Sequence, residues 1–157
     1  MTGVHDSSER VKISLGLGEG TQQEEEGIWA KPLGYQLFEI CDTPLLAYDV
    51  HHGDVVSCEE RPDERPRLRM VVHRSGHRTL RVLFGEDSTE VCWQRVLKRL
   101  SALGAMACEG WQRFYAIDIP PTVDYEAICY YLWEQEVAGD LQYETGMTRP
   151  YQQSAAA

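Results

Sequence analysis

A chain of 157 residues, 43% hydrophobic and 25% charged, is long enough to bury a sizeable core and too apolar to stay disordered. Its formal net charge of −10 repels a phosphate backbone and counts against bulk nucleic-acid binding. No run reaches the roughly 18 apolar residues of a membrane span, and residues 1–10 lack the apolar core of a signal peptide, so a cytoplasmic protein is expected.

Residues 1–10 read as disordered. Val11, Ile13, Leu15 and Leu17 alternate on one face, which predicts a strand over 11–17. Residues 18–27, with Glu24, Glu25 and Glu26 in succession, read as a mobile acidic loop. A hairpin is expected from 28–31 and 35–40 across Pro32-Leu33-Gly34, where proline fixes φ and glycine supplies a positive φ. An apolar connector, 43–50, leads to Gly53-Asp54-Val55-Val56, a turn in which the Asp carboxylate can accept from nearby amides as a strand opens. Beyond a polar loop at 61–66, residues 68–73 and 77–84 read as the arms of one hairpin with Arg74-Ser75-Gly76 at its tip.

Near residue 85 the hydrophobic period changes. Asp87 or Ser88 can cap a helix whose stripe is Trp93, Val96, Leu97, Leu100 and Leu103, and Gly104 stops it. Strands follow at 106–109 and 113–119, ended by Pro120 and Pro121. Asp124 caps a second helix with Tyr125, Ile128, Cys129 and Leu132 on its stripe; Gly139 ends it, and 141–144 forms a last strand. The predicted fold class is α+β. A small β-barrel or curled sheet, residues 11–79, is fused to a ferredoxin-like βαββαβ unit with an antiparallel sheet, residues 80–146, and 147–157 is a flexible tail.

Several segments resemble a bacterial domain-of-unknown-function family: Ile28-Trp29-Ala30-Lys31-Pro32-Leu33-Gly34, Gly53-Asp54-Val55-Val56 after Pro44 to Tyr48, Arg74-Ser75-Gly76-His77 through Val82, and Asp118-Ile119-Pro120-Pro121 with Asp124-Tyr125. The likeness spans about residues 13–146. It implies a bacterial origin and a shared fold, and brings no established activity.

The leading candidate site is Arg74-Ser75-Gly76-His77, with His73 before it and Asp54 on the neighbouring turn. A hydroxyl and two imidazoles at an apex can bind an anion or small ligand. No catalytic residue is assigned, because Ser75 and His77 are only two apart and no nucleophile-elbow pattern surrounds them. The alternative is a tight turn in which Ser75 bonds backbone and Gly76 takes a positive φ. His51, His52, His73 and His77 do not form the local pairs of a zinc site, so neither metal nor cofactor is expected. Five widely spaced cysteines fit buried thiols in a reducing compartment. The basic run Arg61, Arg65, Arg67, Arg69, Arg74, Arg78 and Arg81 reads as a solvated hairpin balancing acidic neighbours.

Aromatic residues exceed what the two helical stripes need, and Tyr130, Tyr131 and Trp133 wrap round the second helix. An acidic surface carrying exposed rings suits a basic protein partner. The expected function is therefore an interaction module, in its most concrete form an immunity protein neutralising a basic toxin domain. Glu24, Glu25, Glu26, Tyr131 and Trp133 are its candidate contacts. The alternative is an anion- or small-molecule-binding enzyme with its site at the junction of the two units; membrane and nucleic-acid partners are not expected.

Overall fold

The computed structural model describes residues 9–18 and 25–147; most of the predicted disordered start, most of the acidic loop and all but the first residue of the predicted tail lie outside them. Among the described residues the order is β1 (Val11–Gly16), β2 (Glu25–Gly34), β3 (Leu37–Ile40), β4 (Val55–Arg61), β5 (Glu64–His73), β6 (Arg78–Phe84), α1 (Glu90–Ala102), β7 (Met106–Glu109), β8 (Phe114–Ile119), α2 (Tyr125–Val137) and β9 (Leu141–Thr145). The strands form two antiparallel sheets of five and four strands, and two helices complete a mixed α+β architecture. Among the described residues no helix is long and apolar enough to cross a membrane.

The first sheet runs β1-β2-β3-β4-β5, and β1 meets β5 again through one parallel bridge, Ser14 against Arg67. Alternation along β1 sends Ile13 and Leu15 into a core with Ile28, Ala30, Ile40, Val56 and Cys58. The β2–β3 turn falls later than expected. Pro32 and Gly34 sit within β2 at a register irregularity, and Tyr35 and Gln36 form the turn at φ 54° and 62°. Left-handed conformations at both central residues match the twist of a two-residue hairpin loop.

The second sheet has the order β7-β8-β6-β9. Leu80, Val82 and Phe84 on β6 and Tyr115, Ile117 and Ile119 on β8 share the face that meets Val96 and Leu100 of α1 and Ile128 and Leu132 of α2. Phe84 anchors this core, stacked on Trp93 and edge-on to Tyr115. Asp124 caps α2 as expected, accepting from the Ala127 amide at 3.1 Å. The α1 cap falls on Thr89 instead, which leaves Ser88 to accept from the Trp93 indole N–H at 2.6 Å. Gly104, at φ 100°, is the C′ residue after Leu103.

The expected hairpin over 68–84 does not form. β5 pairs with β4 in the first sheet, whereas β6 is an inner strand of the second, flanked by β8 and β9. With both edges of β6 taken there is no place for β5 beside it, so residues 74–77 are a crossing between sheets rather than a hairpin tip.

Candidate functional site

The face of the second sheet away from the helices carries Thr79, Arg81 and Asp118, all buried. They are covered by the irregular segment between β3 and β4, which also contributes Ala47 and Val50 to the first core. A turn without strand or helix must satisfy its backbone groups some other way. Here two side chains, an acid and a base, do it from opposite sides. Glu26 of β2 is buried, and its carboxylate accepts from the amides of Leu45, Leu46 and Ala47 at 2.6, 2.9 and 2.9 Å. Arg81 of β6, 2% exposed, donates to the carbonyls of Pro44, Leu46 and Ala47. Its guanidinium lies 4.9 Å from the Tyr48 ring and 3.6 Å from Glu144, while its Nε has no partner. The Tyr48 hydroxyl donates to both Glu144 oxygens, and burial together with that carboxylate pushes the phenol up.

The Gly53-Asp54 turn docks on the 74–77 crossing. Asp54 is fully buried and accepts from the amides of His51 (2.9 Å) and Ser75 (2.8 Å), with Arg74 3.5 Å away. Gly53 sits at φ +81°, and a Cβ there would stand 3.0 Å from the Ser75 Cβ, so the close approach and the backbone conformation both call for glycine. Ser75 Oγ donates to the His52 carbonyl at 2.6 Å and accepts from the His77 amide at 3.1 Å. Its hydroxyl is therefore bonded to backbone, and Gly76 takes φ 90°, the tight-turn alternative.

His77 does find a carboxylate: Nδ1 lies 2.9 Å from Oδ1 of the buried Asp118, and the ring stacks on His52 with centroids 5.0 Å apart. His51 turns inward, with Nδ1 2.8 Å from Thr79 Oγ1, and His73 is exposed at the end of β5. The four histidines thus divide among three environments. No group of three or more His, Cys, Asp or Glu suited to a metal occurs among the described residues. A cavity of about 360 Å³ passes beside the crossing, lined by Gly76, Arg78, Pro121 and Tyr125, but neither Ser75 nor His77 lines it.

Burial pushes the His51 imidazole below its ordinary 6.5; Asp54 opposes the shift, and Arg74 reinforces it. A base whose folded value is depressed confers stability that is fully present above the unfolded value and lost as pH falls through the folded one. The cost of His51→Gln, read from urea midpoints, should therefore shrink as the buffer is taken from about pH 7 to about pH 5. A cost independent of pH would show that His51 takes up its proton alike in the folded and unfolded chain, so that burial does not depress it.

The candidate partner contacts separate. Glu24 lies outside the described residues. Glu25 pairs with Arg61 at 2.8 Å and Arg67 at 3.7 Å, and the Arg61 hydrogen bond is the main reason its carboxyl is held low. Glu26 is buried in the clamp rather than displayed. Tyr131 packs against the helical core, and burial raises its phenol. Trp133 is half-exposed, and its open companion is Tyr130, with ring centroids 5.8 Å apart. Sequence reasoning did not single out the Glu26–Arg81 clamp or the His77–Asp118 pair. One arginine in the otherwise apolar run Leu80-Arg81-Val82-Leu83-Phe84 was the signal for the first.

A family model described as "Domain of unknown function (DUF4265)" matches residues 26–143, and the chain belongs to that family. No curated protein matches the chain. Its fold is similar to that in a crystal structure of a hypothetical protein from Neisseria gonorrhoeae, with a TM-score of 0.75 at 17% identity, covering 88% of this chain and 95% of that one.

Proposed function

We propose that this chain, from a family with no assigned activity, is a protein-interaction module that captures a basic partner on the outward face of α2. A toxin domain neutralised by an immunity protein is the most concrete form of this reading. One observation carries it. After burying Ile128 and Leu132, α2 still presents Tyr130, Trp133 and Val137 to solvent, 62%, 50% and 69% exposed. Glu126 and Glu134 share that face at helical spacing, and α2 contains no lysine or arginine. Exposed rings within an acidic surround supply anchors for a partner and a field that speeds encounter with a basic surface.

Co-expression with the products of neighbouring genes, followed by pull-down at moderate salt, identifies the partner. Trp133→Ala and Tyr130→Ala should each weaken that complex by about tenfold to a hundredfold, the range of aromatic anchors, with the thermal midpoint of the free protein nearly unchanged. An unaltered affinity in both variants would remove the reading. An enzyme at the junction draws support from the His77–Asp118 pair alone. The cavity beside the crossing does not include Ser75, and that hydroxyl is already bonded to backbone, so this reading stands second.

Two finer structural readings belong with this proposal. The parallel bridge between β1 and β5 supports a small closed barrel for the first unit. The succession β6-α1-β7-β8-α2-β9, with spatial order β7-β8-β6-β9, supports a ferredoxin-like second unit. A cytoplasmic setting draws support from the five cysteines, all free thiols, of which Cys58 is pushed up to about 11 by burial.

A further inference from the structure

Resting on the reading of the chain as an interaction module, we propose that the open edge of β9 receives an extended, basic segment of the partner, which joins the second sheet as an added strand. Among the described residues β9 pairs with β6 alone, so alternate backbone N–H and C=O groups along Leu141–Thr145 face away from the sheet. Natural edges are commonly blunted by lysine, proline or a bulge. This one reads Leu141-Gln142-Tyr143-Glu144-Thr145 and holds an unbroken register with β6.

The surroundings suit an occupant. A cavity of about 380 Å³ is lined by Arg81, Leu83 and Phe114 from one face of the sheet and by Glu136 and Tyr143 from the helix side, so it straddles the edge. A neighbouring cavity of about 480 Å³ shares Leu83, Glu136 and Gln142 and continues towards Glu86. Together they form a channel alongside the strand. Its cations are already engaged, Arg81 by the connector carbonyls and Arg113 by the Phe84 carbonyl. Glu136 remains exposed beside it, while the exposed Glu86 lies 3.7 Å from Arg113 and adds to that cation's engagement. The charge that an incoming strand meets is negative, which selects lysine and arginine. Leu83, 41% exposed, offers an apolar contact on the face opposite Glu136. A strand that alternates basic and apolar residues matches both faces at once. Glu136 is also one helical turn from Trp133 and adjacent to Val137, so the channel is continuous with the aromatic face of α2.

The test uses the full chain and an end-capped octapeptide alternating lysine and valine. A second peptide of the same sequence is N-methylated at alternate residues, keeping its charge but unable to pair along one edge. The first peptide should bind with amide shifts concentrated at residues 141–145 and their β6 partners, and the methylated one about tenfold more weakly. Glu136→Lys should weaken the first peptide by a similar factor while leaving thermal unfolding unchanged. Equal binding of both peptides, shifts centred elsewhere, or no binding overturns the edge site. So does slow hydrogen exchange at the outward β9 amides of the free protein, which would mean that residues 148–157 or a second copy already cover the edge. If the edge fails while Trp133→Ala still weakens the native complex, the strand-addition inference falls alone; if both fail, the interaction reading falls with it.

Discussion

Glu26→Ala should lower the unfolding free energy by about 3–5 kcal/mol, the range for removing one side of a buried, charge-assisted set of hydrogen bonds. The carboxylate meets three consecutive amides that have no strand or helix to bond with, and all three lose their acceptor together. Glu26→Gln keeps one acceptor oxygen but turns an NH₂ towards donors, so it should recover no more than about half of that loss. Urea denaturation monitored by tryptophan fluorescence reads both variants. A loss below about 1 kcal/mol for the alanine variant would mean that water replaces the carboxylate and the turn is not held by it.

Arg81→Met should cost about 2–4 kcal/mol, somewhat less than Glu26→Ala, because the native arginine already carries a penalty in its unpartnered Nε. Methionine fills most of the volume, so the loss reports the carbonyls of Pro44, Leu46 and Ala47 rather than a cavity. Arg81→Lys keeps the charge without the planar fork and should recover less than half. The two clamps hold one turn, one by its N–H groups and the other by its C=O groups. Once either is lost the turn is loosened, and the second loss should cost about 1–2 kcal/mol less than it does alone. Strict additivity would show that the turn keeps its shape with one clamp.

Much of the second sheet and of the two helices was legible because their signals are local. The stripe from Trp93 to Leu103 and the capping Asp124 both describe a helix from neighbouring residues, and both helices formed close to their expected bounds. The Gly-Asp turn was legible for the same reason, since the Asp54 carboxylate reaches an amide only three residues away. The fate of 68–84 was not. Two consecutive strand-like runs with a turn between them look alike whether they pair or part, and the outcome depends on distant competitors. Asp63, at φ 62°, closes the turn that commits β5 to β4, while β8 and β9 occupy both sides of β6. The acidic run misled for a related reason. Glu24, Glu25 and Glu26 look equivalent in sequence, yet strand alternation gives Glu25 to Arg61 and sends Glu26 inward. On α2 the count of rings was informative, but their orientation follows from which side meets the sheet, and that put Tyr131 against the core and Tyr130 outside.

Between the two apolar cores, one led by Ile13 and Ile28 and the other by Phe84 and Leu132, the molecule has a polar layer rather than a greasy contact. Oily surfaces can slide past one another at little cost, whereas hydrogen bonds fix direction as well as distance. The mutual pose of the halves is thereby keyed by a few named atoms.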